Sequence, residues 1–376
     1  MITLGEYTIK LDAVNSGTQG VGLKASRLGS MMSSGLPLPS GFVIKSEAFD
    51  KFLRHNKIAS KISTILEESH SAGFQRLKEM SGRIQDLIIN GIMPDYIEKQ
   101  IKDEYQDLSI GREAKEIGGA ALDLIKAGRD NVMVSVRPSP VADTASANFS
   151  GQMKTMLCLR GQQQISYAIK ETWASLFSLR AMLYRKRRRM MEMPSMGVIV
   201  QKSLEPDKSG FVYTSLPETG DTSKVVIEGS WGFSDSIISG MVAPDEYVIG
   251  KETGETERKK ISRKMWMKKR NEMSGKIERE PVFRERIEAE LLDPKEIKKL
   301  IELAARVEKN NGGHPQQIEW AEERGRLFII DSEYIPDYGI VKDSGVQQGS
   351  EPIARGTCVY RGNVKGTARV FSSMSD

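Results

Sequence analysis

Between Val132 and Thr155 the chain reads VMVSVRPSPVADTASANFSGQMKT, a strand that changes character halfway. Val132, Val134 and Val136 alternate with other residues, as in a β-strand with one buried face. From Arg137 onward the residues are small, polar or restricted in φ: Pro138, Ser139, Pro140, Ser146, Asn148, Ser150 and Gly151. Such a run suits a tight bend rather than a packed element. An arginine at the end of a buried strand, followed by a hydroxyl- and glycine-bearing loop, suits a polyanion. The guanidinium offers a planar fork of donors to phosphate oxygens. The loop adds backbone N–H groups and the hydroxyls of Ser150 and Thr155. The stretch also reads as a surface loop whose arginine pairs with a nearby acid, and these residues alone leave both readings open.

The 376 residues around it are enough for two or three domains. Hydrophobic residues make up 39% and charged residues 28%, the balance of a soluble globular protein. No run of about 18 apolar residues occurs, so no membrane span is expected. The first ten residues, MITLGEYTIK, lack a signal-peptide pattern. Cys158 and Cys358 lie far apart and without metal spacing, which fits a reducing cytoplasm and no disulfide framework. His55, His70 and His314 are scattered, so a zinc site or a His-centred triad has little to draw on. The net charge of +5 is uneven, with RKRRR at 185–189 and a segment dense in Lys, Arg and Glu at 251–286. Nucleic-acid binding is one reading and a solvated helix face the other. The second is preferred, because the basic run is short, lacks interleaved aromatics, and acids accompany the later segment.

Outward from the opening stretch, residues 5–14 read as a strand leading into the loop NSGTQGVG. The segment LKASRLGSMMSSG then reads as a helix capped by Gly35 and stopped by Pro37 and Pro39, and GFVI at 41–44 as a strand. Gly20 to Ala25 matches G-x-G-x-x-A, but no strand–turn–helix unit with a ribose-binding acid follows, and Lys24 is not in a Walker A setting. What remains is a glycine loop with Lys24 at a helix start, facing either an anion or solvent. Residues 47–128 read mostly as helices, and 162–189 as one further helix. GVIVQKSL (197–204) and GFVYTS (210–215) read as strands around an EPDKS turn, with Gln201 at a strand end. That amide suits an adenine edge or a structural hydrogen bond. Glu228 and Asp235 are acids in the strand-and-loop segment 225–249, and 251–286 is expected to form a mobile hairpin or lid. Residues 293–311 read as a helix with Asp293 as N-cap, Pro294 at its first position and Gly312-Gly313 at its end. QQIEWAEE and RLFIIDSEY follow as two strands joined by an Arg-Gly turn. They place Glu319 and Asp331 on neighbouring strands, where two carboxylates could hold Mg²⁺ or serve as ordinary paired acids.

Taken together, GVGLKASRLG…GLPLPSGFVI, SVRPSPVADTASANFSGQMKT, ETWASLFSLRAMLYR, GVIVQKSL…SGFVYTSLPETGD, SWGFSDSIISGMVAPDEYV and GGHPQQIEWA stand in one collinear order. This order resembles the N-terminal ATP-grasp region of phosphoenolpyruvate synthase (pyruvate, water dikinase), shared with pyruvate phosphate dikinase and rifampicin phosphotransferase. The resemblance runs over about residues 1–340. It implies an α+β ATP-grasp fold, with one lobe over 1–195 and a second over 196–340 clasping a nucleotide between them. It implies an ATP-dependent phosphotransferase that uses Mg-ATP to phosphorylate a histidine on a swivelling domain or partner subunit. That carrier passes the phosphoryl group to pyruvate, a phenol or another hydroxyl acceptor bound elsewhere. The site residues implied are Lys24 and Arg137 as catalytic phosphate contacts, Gly151 and Thr155 in the phosphate loop, and Gln201 at the adenine. Glu319 and Asp331 complete the set at metal and nucleotide. A cytoplasmic protein is expected, with no membrane partner.

The family pattern is not followed everywhere. After the strand it has Arg-Ser-Ser-Ala-Thr-Ala-Glu-Asp, whereas Arg137 is followed here by Pro138, Ser139, Pro140, Val141, Ala142, Asp143 and Thr144. Asp331 stands where the pattern has a metal-binding Gln, and Glu333 where it has an Arg facing the triphosphate. A carboxylate at 333 repels phosphate unless a second Mg²⁺ or a lysine compensates. The rival expectation is therefore a catalytically weakened nucleotide-binding regulatory subunit of the same fold. Residues 341–376 are expected to be a linker and the first strands of the swivelling domain, IARGTCVYRGNVKGTARVF at 353–371, without its histidine motif. That would make the chain a fragment or one subunit of a split enzyme, as in phenylphosphate synthase.

Overall fold

A computed structural model of the chain describes residues 5–115, 132–141, 153–190 and 192–335. The expectations for Ser146, Asn148, Ser150, Gly151 and the segment 341–376 lie outside these residues. The described chain opens with β1 (Thr8–Lys10), α1 (Gly22–Ser33) and β2 (Gly41–Ile44). The helices α2 (Ser46–His55), α3 (Ala59–Ser69), α4 (Phe74–Ile89) and α5 (Asp95–Lys115) follow. Then come β3 (Val134–Val141), β4 (Met156–Leu159), α6 (Gln162–Ser175), α7 (Leu179–Arg187) and β5 (Ser195–Lys202). These strands form a five-stranded sheet in the order β1-β2-β5-β3-β4, antiparallel at every pairing.

β2 and β5 bury residues on both faces, which is why GFVI and GVIV read as continuous apolar runs, whereas β3 alternates apolar and polar residues. Phe42, Ile44, Val134, Val136, Val198 and Val200 face one core, where Phe49, Phe52 and Trp173 from α2 and α6 pack. Each phenylalanine ring lies 5.2 Å from the Trp173 ring. Val43 and Ile199, one step along the same strands, face a second core with Ala25, Leu28 and Met31 of α1. Period-two alternation thus assigns the sheet's two faces to two different partners.

Two expectations are corrected here. The single helix over 162–189 is broken at 176–178, because Ser178 caps a new helix, its Oγ accepting from Ala181 N at 3.2 Å. The strand at Val134 does not end at Arg137 but runs to Val141 through both prolines. Beyond Val136 it pairs only with β5, since β4 reaches no further, and proline is tolerated on an open strand edge. The chain crosses to a second sheet between Lys202 and Lys208, so the strands on either side of the EPDKS turn belong to different sheets.

The second sheet has six strands in the order β13-β12-β6-β7-β8-β9. They are β6 (Lys208–Tyr213), β7 (Lys224–Trp231), β8 (Asp245–Gly250), β9 (Thr256–Lys260), β12 (Gln316–Glu323) and β13 (Arg326–Tyr334). β9, TERKK, is exposed throughout, and its charges blunt the sheet's open edge. The short α8 (Asp235–Ile238) follows β7, and β10 (Trp266–Arg270) with β11 (Ile277–Pro281) forms the expected hairpin over 251–286. Its base is clasped by the buried Asp245, which accepts from Lys264 Nζ at 2.6 Å, Ser262 N at 2.9 Å and Leu291 N at 3.0 Å.

The last helix, α9 (Pro294–Asn310), has the cap expected from its sequence: Asp293 accepts from Lys295 N and Glu296 N, and Glu296 returns a bond to Asp293 N. It buries Leu300, Ala304 and Val307 in the second core, against β12 and β6. Among the described residues, no helix is long and apolar enough to cross a membrane.

Candidate functional site

The two sheets and α1 enclose a cleft of about 1170 Å³. The alternation of β3 sets its first wall. Val134 and Val136 point into the first core, so Ser135, Arg137 and Ser139 point the other way. Ser139 is fully buried, and its Oγ accepts from Ala25 N at 3.0 Å. The hydroxyl satisfies one of the orphan N–H groups at the start of α1, whose own N-cap, Val21, has no side chain to do so. Gly22 enters that helix at φ 78°, and a Cβ there would press onto the Ser139 carbonyl oxygen. This docking brings Lys24 beside Arg137.

The opposite wall comes from the last hairpin. Its turn at Arg324-Gly325 pairs Trp320 with Ile329, and a one-residue register shift between Glu319 and Trp320 then sets Glu319 across from Asp331 and Gln317 across from Glu333. These last four line the cleft. Arg137 Nη1 reaches Glu319 Oε2 at 3.7 Å, while Arg137 Nε is buried with no hydrogen-bond partner among the described residues. Lys24 Nζ pairs with Asp331 and lies 3.3 Å from Glu333 Oε1. Arg27, one turn along α1, donates to the Ser332 carbonyl at 3.1 Å. Three cations from the first half of the chain thus face three carboxylates from β12 and β13.

The charges tune one another. Burial opposes the charge on Lys24, but Asp331 and Glu333 outweigh it and hold its pKa above the ordinary lysine value. Burial likewise opposes the charge on Asp331, yet Lys24, Arg137 and Arg27 hold its carboxyl below the usual range.

Thr155 lines the cleft as well. Gln201 also lines it, two residues along the strand pair from the Arg137 level, or about 7 Å. Its Nε2 donates to the Pro39 carbonyl at 2.8 Å, and Oε1 is the amide's remaining acceptor. The two sequence readings of this amide, structural and ligand-facing, are compatible in one side chain. Gly151 lies outside the described residues.

Three residues of the site were not singled out from sequence. Ser234 donates to Glu319 Oε1 at 2.6 Å and orients that carboxylate; its only signal was the Gly/Ser loop after β7. Ser139 was seen as a loop residue, and Arg27 could have been found from its i+3 spacing to Lys24. In the basic run, Arg185 is buried and donates to the Glu192 carbonyl, and Lys186 donates to Ala72 O at 2.6 Å, so two of its five cations are spent on backbone.

The donor set suits Mg²⁺. Glu319 and Asp331 present hard oxygen ligands from directly opposed positions, and such an ion is ordinarily held by one or two carboxylates plus substrate phosphates. No group of three His, Cys, Asp or Glu poised to hold a metal occurs among the described residues.

The sequence family described as pyruvate phosphate dikinase, AMP/ATP-binding domain, matches residues 18–333. A phosphoenolpyruvate synthase from Aeropyrum pernix is 33% identical over 80% of this chain and 38% of its own length. Two proteins named probable phosphoenolpyruvate synthase are also similar. That of Archaeoglobus fulgidus is 33% identical over 91% of this chain and 43% of its own length. That of Methanothermobacter thermautotrophicus is 28% identical over 94% and 49%. The chain therefore spans half or less of the curated relatives it matches.

Proposed function

The chain belongs to the pyruvate phosphate dikinase AMP/ATP-binding domain family, and on that footing we propose that it binds Mg-ATP between its two sheets and supplies the phosphoryl group of a dikinase-type transfer. The receiving group in this reading is a histidine on a phosphocarrier domain or subunit, which hands the phosphoryl group to a hydroxyl acceptor such as pyruvate or a phenol. The observation that carries the reading is the meeting of Lys24, Arg137, Glu319 and Asp331 in one cleft, with Gln201 two strand positions away.

Phosphoryl transfer needs positioning and charge neutralisation more than covalent chemistry by the protein. Arg137 fits this need, because its buried Nε and its fork of η nitrogens can address phosphate oxygens where charge develops. Lys24 adds a point charge from the start of α1, where the helix end itself favours an anion. Gln201, held by Pro39, offers Oε1 to the amino group of adenine. Ser234 fixes the Glu319 carboxylate in its direction. Glu319 and Asp331 would hold the metal, whose chemistry is to neutralise and orient the phosphate oxygens. In the transfer, the carrier imidazole forms an N–P bond while a P–O bond of the polyphosphate breaks. The departing nucleotide keeps the electron pair and the imidazole releases its proton to solvent.

Isothermal titration of the purified chain with ATP, with and without Mg²⁺, tests the reading. Magnesium-dependent binding that Glu319→Ala abolishes is the expected result. Absence of ATP binding in both conditions refutes it. One observation favours a second reading, a regulatory nucleotide-binding subunit of the same fold: Glu333 places a carboxylate beside the phosphate lysine. Magnesium-dependent ATP binding with no phosphohistidine formed on a histidine-bearing partner would support that alternative.

A further inference from the structure

Lys24 is not free in the resting cleft. Its ammonium is shared by two carboxylates, Asp331 and Glu333, that lie two positions apart on β13 and so on one face of the strand. The helix start that carries Lys24 and the strand that carries the acids belong to opposite ends of the chain, so the contact ties two walls of the cleft together. One positive charge is thus shared by two negative ones, within a cluster whose three cations and three carboxylates balance overall. Arg137 is similarly engaged by Glu319.

Resting on the Mg-ATP reading above, we propose that Glu333 is a specificity-determining residue that bars metal-free nucleotide from the cleft by keeping Lys24 sequestered. Polyphosphate arriving alone finds Lys24 taken by two carboxylates. Asp331 can release Lys24 when it has a divalent cation to take in exchange. With Asp331 and Glu319 turned to the cation, Lys24 is left with Glu333 alone and can swing to phosphate. Glu333 need not touch the metal; its part is to make the lysine's release depend on that exchange.

The proposal predicts how two affinities change separately. Glu333→Gln removes one negative charge and weakens one of the two holds on Lys24. At effective dielectric values near 20, a unit charge about 10 Å from the phosphates changes affinity by about tenfold, which is about 1.4 kcal/mol. The test is equilibrium dialysis of the intact chain with ATP, once in EDTA and once in excess Mg²⁺, on the native protein and on Glu333→Gln and Glu333→Asp. Thermal melts of all three report folding.

The expected result is that Glu333→Gln tightens metal-free ATP about tenfold and leaves Mg-ATP within about threefold, while Glu333→Asp keeps the native ratio of the two affinities. An unchanged ratio in Glu333→Gln overturns the gate and leaves the Mg-ATP reading standing. Equal weakening in both conditions, with a lowered melting temperature, assigns Glu333 a merely structural role and overturns the gate as well. Failure of the native protein to bind ATP in either condition removes the Mg-ATP reading and this inference together.

Discussion

Lys24→Ala separates what the lysine does for the fold from what it does for a ligand. In the resting protein its ammonium is partly buried, its side chain 22% exposed, and engaged by Asp331 and Glu333. An exposed ion pair is worth less than about 1 kcal/mol, and breaking a buried one costs about 3–5. This pair lies between those limits, so a loss of about 2 kcal/mol of stability is expected. The ligand effect follows from Coulomb's law: at 4 Å and an effective dielectric of 20, a unit pair is worth about 4 kcal/mol. Lys24 must first give up Asp331, so about half of that survives as net gain. About 2 kcal/mol corresponds to about a thirtyfold loss in Mg-ATP affinity.

The pH dependence changes too. The Asp331 carboxyl is held below its ordinary 3.8, so its contribution to stability is present above that value and is lost as pH falls through the lower folded pKa. Without Lys24 the folded pKa climbs back and acid unfolding loses that component. Calorimetric titration with Mg-ATP and urea melts at neutral and acid pH measure both effects. A folded Lys24→Ala protein with native Mg-ATP affinity would refute the placement of phosphate at this helix start.

Arg137→Ala is expected to lower phosphoryl transfer by about 10²–10³-fold, with Arg137→Lys recovering only part because a point charge lacks the planar fork; steady-state labelling of the carrier decides it. Lys264→Met leaves Asp245 charged and fully buried beneath the β10–β11 hairpin, and chemical denaturation is expected to show a loss of about 3–5 kcal/mol. Burial pushes the Glu322 carboxyl up to about 7, with the hydrogen bond and charge of Glu296 adding to it and Lys208 opposing. Its stabilising contribution is full below its ordinary 4.5 and disappears as pH rises towards 7, so Glu322→Gln should flatten the stability curve across that window in pH-dependent melts.

How far the sequence carried is clearest at particular residues. Short-range chemistry was sufficient for α9, whose Asp293 and Pro294 announce its start, and for the β12–β13 hairpin. There the Arg324-Gly325 turn fixes the register as far as Trp320 and Ile329, while the irregularity between Glu319 and Trp320, which only the structure shows, shifts Glu319 opposite Asp331. The valines at 134 and 136 likewise specified a strand with one face inward. Each of these rests on interactions within a few residues, or on a period that the side chains themselves display.

The remainder depended on which faces meet. That β3 runs on through Pro138 and Pro140 depends on its edge being left open by β4, which no local pattern records. That Ser139 caps α1, that Ser234 orients Glu319 and that Pro39 holds Gln201 are contacts between segments brought together by packing. Lys24 and Asp331 are 307 positions apart, and no periodicity links them. A side chain's periodic position says which way it points, but the charge it will find there is set only when two sheets and a helix close over a common cleft.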